Sequence, residues 1–295
     1  MRAALLMLTA TLGAAAQQPK IDNVLVRMVP AGSTALVGAQ LQAMISTPLY
    51  RRLVDQQAAA MLDRFTAETG FDPRKDVREL LYANTPEGAL VVARGNFKPG
   101  KPFDQAIQTR HGVYVVWTMN DNGLCILDNT LAAAGKLRAV TAAVDEWEQK
   151  GKSAAAQPLL SRLKLNDPHA QFWAVTMGVS DLLSGARLPG AGAGLDLGPL
   201  FRGLTDIWLE ASFASGFKFN AHGNAASLKD AQSLRDTFKG AIGFGRLSVP
   251  EDHPELLPVF DGMEVDQQDR AVAIRIDLSQ KSIEPLIDLL NRTRK

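Results

Sequence analysis

From Asn23 onward the chain reads as short apolar runs separated by turn-forming clusters, with longer stretches of three-to-four-residue periodicity between some of them. Residues 33–41, bounded by Pro30-Ala31-Gly32, form a compact apolar run of the kind that makes a buried strand. Ser46-Thr47-Pro48 then supplies a capping side chain followed by proline at a tolerated first-turn position. The spacing of Leu49, Leu53, Ala60, Met61 and Phe65 predicts a long helix over 48–69, stopped at Gly70. Two strands follow at 79–83 and 88–94, separated by Asn84-Thr85-Pro86-Glu87. A short helix is expected over 101–108. Strands at 113–119 and 124–128 flank Asn120-Asp121-Asn122-Gly123, where Asn-Gly suits the positive φ of a tight hairpin. A helix over 131–147 closes this set, with Ala139, Val140, Ala143, Val144 and Trp147 in helical spacing.

The same order returns further along. Residues 170–179 match the opening strand, and Gly194-Leu195-Asp196 echoes Gly70-Phe71-Asp72. Strands at 207–213 and 216–223, a helix over 227–242, a hairpin at 263–277 with its turn at 266–269, and a helix over 281–291 complete the second set. The predicted fold class is α+β, with two similar subdomains of mainly antiparallel strands packed by helices in the order β-α-β-β-α-β-β-α. The subdomains are placed at 17–149 and 169–295, joined by a linker at 150–168 whose start, 150–158, is small and polar. A second irregular stretch, 188–194, alternates glycines that leave the backbone no preferred φ.

The N-terminus changes the picture most. Met1-Arg2 precedes an apolar segment, 3–12, which ends in Gly13-Ala14-Ala15-Ala16 before Gln17-Gln18. A basic start, an apolar stretch too short to span about 30 Å of hydrocarbon, and small residues ahead of a cleavage point describe a signal peptide at 1–16. The expected location is therefore secreted or periplasmic, with no transmembrane segment in the mature chain. The one cysteine of the 295 residues, Cys125, excludes an intramolecular disulfide and lies far from the cleavage point, which excludes lipid attachment at a new N-terminal cysteine. A chain of this length buries enough surface to fold without a disulfide. Thirty-two Lys and Arg against 31 Asp and Glu leave a charge of +1, so no global basic field recruits nucleic acid.

Candidate chemistry is tested by spacing. Gly190, Gly192 and Gly194 do not follow the Gly-x-Gly-x-x-Gly spacing between strand and helix that a dinucleotide cradle needs. Gly151-Lys152-Ser153 lacks the glycine five residues earlier required of a phosphate loop, where Glu146 stands. Ser161-Arg162-Leu163-Lys164 fits Ser-x-x-Lys without its companion motifs, and Gly178-Val179-Ser180-Asp181-Leu182 has Leu182 where a nucleophile elbow needs glycine. His111, His169, His222 and His253 are scattered beside turn residues, and no pair has metal-ligand spacing. Asn120-Asp121-Asn122-Gly123 lacks the twelve-position calcium pattern. Cys125 sits in a strand alternation as a buried thiol, and Trp117, Trp147, Trp173 and Trp208 are expected to anchor the core. The mixed-sign polar face of the 48–69 helix, with Arg51, Arg52, Asp55, Gln56 and Asp63, suits water or a protein rather than an anionic membrane. No catalytic, cofactor-binding or metal-binding residue is assigned, and no cofactor is expected.

Residues 29–38 (Val-Pro-Ala-Gly-Ser-Thr-Ala-Leu-Val-Gly), Gly70-Phe71-Asp72-Pro73 before Asp76-Val77, and Ile126-Leu127-Asp128 leading into Leu137-Arg138-Ala139-Val140 resemble uncharacterised secreted bacterial proteins with duplicated α+β units. The resemblance covers most of 24–290 and rests on hydrophobic pattern and turns. It implies an envelope or extracellular location and a non-enzymatic role, and it transfers no functional residue. The expected function is binding of another protein or an envelope component, through surfaces or the groove between the halves. The alternatives are a hydrolase with a dispersed active site and a carrier of an apolar ligand; the sequence fixes neither ligand nor oligomeric state.

Ala14 and Ala16 place small side chains at the two positions a signal peptidase reads, so mass spectrometry of the exported protein is expected to find Gln17 as the N-terminus. Retention of Met1 would refute the processing.

Overall fold

The structure is a computed structural model, which describes residues 21–52, 56–69, 72–98, 106–149, 156–167, 169–179, 187–188, 195–196, 201 and 203–292. It is an α+β fold in which twelve antiparallel strands make one sheet. In chain order its elements are α1 (Asn23–Arg27), β1 (Ala35–Ala39), α2 (Leu41–Ile45), α3 (Pro48–Tyr50), α4 (Gln56–Thr69), α5 (Pro73–Asp76), β2 (Val77–Thr85) and β3 (Gly88–Gly95). Next come β4 (Ile107–His111), β5 (Tyr114–Met119), β6 (Asn122–Asp128), β7 (Leu131–Lys136), α6 (Leu137–Glu148), α7 (Gln157–Leu160) and β8 (Phe172–Met177). After the two-residue pair β9 (Arg187–Leu188) and β10 (Leu195–Asp196) follow β11 (Leu204–Ser212), β12 (Gly216–Ala225), α8 (Leu228–Leu247), α9 (Leu257–Asp261), β13 (Met263–Gln268), β14 (Ala271–Ser279) and α10 (Gln280–Arg292). Across the large sheet the order is β13-β14-β12-β11-β8-β1-β2-β3-β7-β6-β5-β4.

The segments 17–149 and 169–295 thus share one sheet, joined where β1 pairs with β8 from Ala35 opposite Thr176 to Ala39 opposite Phe172. At this seam Gly38 faces Trp173, and a Cβ on Gly38 would stand 2.2 Å from the indole ring. Glycine is required here because the Trp173 side chain, 2% exposed, occupies the space of the missing methyl.

Following the register from strand to strand picks out one row on one face. It runs Thr109, Val116, Cys125, Ala133, Val92, Leu81, Gly38 and Trp173, then Glu210, Asn220, Arg275 and Glu264. Side chains alternate between faces along each strand, so this row and its neighbours two residues away share a surface. From Val116 to Trp173 the surface is core, buried under Ala139, Val140, Ala143 and Val144 of α6, Leu25 of α1 and Leu159 of α7. The same cluster reaches Trp208 on β11, and beyond that strand the core changes sides. Val265 and Val272 pack with Ala231 and Leu234 of α8, while Leu278 packs with Val259 of α9 and with Ile283 and Ile287 of α10, all on the opposite face. The main cores of the two halves lie on opposite faces, with a smaller cluster of Val77, Phe97 and Ala132 on the far side of the first half.

Local signals placed several elements as expected. The Thr47 hydroxyl accepts from the Tyr50 backbone N–H at the start of α3, and the Ser227 hydroxyl accepts from that of Asp230 at the start of α8. Helix is present at both ends of the 48–69 prediction, as α3 and α4, with 53–55 outside the described residues. Other expectations are corrected. Residues 131–136 are strand β7 rather than the first turns of a helix, which spans only Leu137–Glu148. Ala132 to Ala134 have high helix propensity, but pairing with both β3 and β6 supplies their backbone partners and overrides it. Ile107 and Gln108, expected in a helix, belong to edge strand β4; residues 101–105 lie outside the described residues. The β5–β6 loop is Asn120-Asp121, where Asn120 takes φ +54°, while Gly123 lies within β6. The hairpins expected to correspond stand at different places: β14 pairs with β12, whereas β7 separates β5–β6 from β3. Within the 150–168 linker, α7 is an ordered turn that buries Leu159 at 1% exposure. The signal peptide and the glycines of 190–194 lie outside the described residues.

Gly38→Ala is expected to cost roughly 1–3 kcal/mol, because the added methyl must displace the Trp173 ring. The same change at Gly240 in α8, which has open space around its Cα, is expected to be neutral or to stabilise the helix by up to about 1 kcal/mol. Urea unfolding of both variants, read by tryptophan fluorescence, checks the contrast.

Candidate functional site

Where the row turns polar, the exposed face of β12, β14 and β13, with the end of β11, floors an open cleft of about 590 Å³. Alternation explains its chemistry. In β12 the residues Phe217 and Phe219 turn to the helices, leaving Lys218 and Asn220 on the cleft side; in β14 Ile276 and Leu278 do the same for Arg275 and Asp277. Glu264 of β13 stands opposite Arg275. The rim is made by Asn166, Asp167 and His169 from the segment before β8 and by Ser212, Ala214 and Ser215 from the adjoining β11–β12 turn.

The rim is held by buried groups. Glu210, 1% exposed, accepts hydrogen bonds from the backbone N–H of Asn166 at 2.9 Å, from that of Asp167 at 3.2 Å, and from Asn220 Nδ2 at 2.9 Å. A buried carboxylate is costly unless donors surround it, and here the donors are the loop it fixes. Between the two rim segments the Gln171 Oε1 accepts from the Phe213 N–H at 2.6 Å. The Asp167 carboxylate accepts from the His169 backbone N–H at 2.8 Å.

The charged side chains are paired loosely. Lys218 Nζ lies 3.3 Å from Asp277, with the two side chains 50% and 70% exposed, and an Arg275 nitrogen lies 3.7 Å from Asp266. Exposed pairs of this kind contribute about 0–1 kcal/mol, so they exchange readily for other partners. Glu264, although opposite Arg275, makes no hydrogen bond and no ion pair within 4 Å among the described residues. One step along the sheet, the imidazole of His222 stacks on Trp208 with ring centroids 4.3 Å apart. Burial, then the charges of Arg275 and Lys164, hold its pKa below the ordinary histidine value.

The four histidines do not converge. His111 bonds Asp145 at 2.7 Å at the far end of the sheet, His222 stacks on Trp208, His253 bonds Glu255 at 3.0 Å, and His169 stands on the cleft rim. The cleft gathers Asp167, His169, Ser212 and Ser215, yet no hydrogen bond links the His169 ring to either serine; its backbone, not its imidazole, meets Asp167. The Ser161 hydroxyl donates to the Pro158 carbonyl at 3.0 Å. Cys125 is fully buried, and burial pushes its thiol up to about 11. Among the described residues no three His, Cys, Asp or Glu side chains group as a metal site. An apolar pocket lined by Leu49, Phe213, Ile283 and Ile287 holds about 10 Å³, hardly room for one water. No described helix is long and apolar enough to cross a membrane.

Sequence reasoning did not single out Glu210, Lys218, Asn220, Glu264 or Arg275. Their alternation with apolar neighbours was visible along β12 and β14, but their meeting depends on a strand order that alternation does not encode.

No family model matches the chain, and no curated protein does. Solved structures of TP0453 are similar in fold. Crystal form III is 8% identical with a TM-score of 0.50, covering 92% of this chain and 99% of that one. Crystal form I is 8% identical with a TM-score of 0.47, covering 92% and 98%. Likeness at this identity concerns the fold alone.

Glu210→Ala removes the acceptor of two partly buried backbone N–H groups and is expected to cost roughly 1–3 kcal/mol. Urea unfolding measures the loss, and hydrogen exchange is expected to show faster exchange at the Asn166 and Asp167 amides with the distant α6 amides unchanged.

Proposed function

We propose that this is an exported, non-enzymatic binding protein whose contact surface is the polar cleft on β11, β12, β14 and β13. The observation that carries the reading is the change along a single row of the sheet. The row is core up to Trp173, while beyond Glu210 the same face presents Asn220, Arg275 and Glu264 along three hydrogen-bonded strands. A sheet face that is polar, concave and held by a buried carboxylate is organised for contact rather than for packing. The partner is another protein or an envelope component, and the secreted or periplasmic location follows from the signal peptide reading of 1–16. A charge of +1 supports no nucleic-acid partner.

The duplication belongs to the same reading. The β1–β8 register is symmetric about the Val37–Ala174 pair, and outward from it β2, β3 and β7–β6 are matched by β11, β12 and β14–β13. On this reading the repeat is one of strands, because α6 and α10, which follow β7 and β14, lie on opposite faces. The hairpin equivalent to 263–279 is then 122–136. An ancestral repeat that joined edge to edge would leave one half free to turn its helices to the other side and open a face for binding.

A photo-crosslinking amino acid placed at Ser215 on the rim, in cells exporting the protein, is expected to trap a partner, while one at exposed Lys229 on α8 is not. Absent crosslinks from Ser215, or equal yields from the two positions, would refute the assignment of the cleft.

A further inference from the structure

Resting on the binding role proposed for the cleft, we infer that its ligand is an extended peptide segment carrying one acidic and one basic side chain two residues apart. The acidic group meets Lys218 and Arg275, and the basic group meets Glu264. Three features of the floor lead to this class.

The first is that charges of both signs are sorted in space. Asn220 faces Arg275 and Lys218 faces Asp277 across β12 and β14, so Lys218 and Arg275 are diagonal neighbours, while Glu264 lies one strand further out, opposite Arg275. Directly opposed residues of antiparallel strands stand about 5 Å apart and diagonal ones about 7–8 Å. The cationic pair and the carboxylate are thus separated by roughly 5–10 Å. Side chains i and i+2 of an extended chain point to one side about 6.6 Å apart, which matches that separation.

The second is availability. Lys218 and Arg275 hold only solvent-exposed carboxylates at 3.3 Å and 3.7 Å, and Glu264 holds no cation. An incoming acid exchanges weak contacts for a shared one, and an incoming base gives Glu264 a contact it lacks. A purely anionic ligand would be repelled by Glu264, Asp277 and Asp167 in the same cleft, and a purely cationic one by Lys218 and Arg275.

The third is preorganisation. Asn220 gives its amide N–H to Glu210, which leaves its carbonyl oxygen free to accept a peptide N–H on the β12 side of the cationic pair, away from Glu264. The strands beneath fix the backbone positions from which these side chains project, which lowers the ordering cost.

The test uses the exported full-length protein and three end-capped pentapeptides: acetyl-Ala-Glu-Ala-Lys-Ala-amide, its Gln-for-Glu analogue and its Gln-for-Lys analogue, titrated calorimetrically at low salt. The doubly charged peptide is expected to bind at least about tenfold more tightly than either analogue, and its advantage is expected to shrink as salt is raised. In Glu264→Gln it is expected to fall to the level of the acid-only peptide, and in Lys218→Gln or Arg275→Gln to approach the base-only peptide. Circular dichroism and urea midpoints identify any variant that fails to fold. Three peptides that bind alike, or no measurable binding of any, would overturn the ligand class. Crosslinks from Ser215 that persist in that case leave the binding role standing, whereas their absence removes both.

Discussion

Everything in this fold depends on the antiparallel seam between β1 and β8, and the seam depends on Gly38 lying under the indole of Trp173. Pairing of two edge strands satisfies backbone groups anywhere along their length, so hydrogen bonds alone do not select a register. A large ring seated over the one residue without a Cβ does select it, since a one-residue slip would drive the indole into a side chain. Trp173, with Trp208 on the next strand, also closes the N-terminal core, which includes Leu36, Leu81 and Val175. The contact that joins the halves is therefore the contact that closes the core of the first.

Beyond that boundary the sheet buries its other face. The physical reason lies in strand alternation: in β12 and β14 the apolar members Phe217, Phe219, Ile276 and Leu278 share the face opposite to the one on which Leu36 and Leu81 lie. Helices follow the apolar side, so α8, α9 and α10 pack across the sheet from α6. The cleft is the consequence, because a sheet half covered on alternate faces leaves a polar surface flanked by the loops of its neighbour. Glu210 sits at this step. Its carboxylate faces the Asn166 and Asp167 amides that rim the cleft, and its burial at 1% exposure beside Trp173 ties the rim to the seam.

The likeness to TP0453 extends over 92% of the chain at 8% identity, which is the expected outcome when a fold is specified by patterning and turns rather than by particular side chains. Polar side chains such as Lys218, Arg275 and Glu264 stand on the exposed face of such a sheet, where patterning constrains them least. The binding role proposed here rests on those positions rather than on the architecture.

What the amino-acid sequence determined by itself was local. The caps at Thr47 and Ser227, the Pro86-Glu87 turn, the strands β1, β2, β3 and β11 to β14 and the burial of Cys125 follow from short-range hydrogen bonding, φ preference and period-two alternation, all of which act within a few residues. The α+β class follows from the same signals taken together. What only the tertiary structure decided was everything that requires two distant segments to meet. Ala132 to Ala134 became strand because β3 and β6 were there to pair with them. Glu210, 44 residues from Asn166 in sequence, became the anchor of a loop, and Asn220, Arg275 and Glu264 became neighbours because β14 lies between β12 and β13. Alternation states that a residue faces out; which residues it faces is set by strand order and register, and those are properties of the assembled sheet.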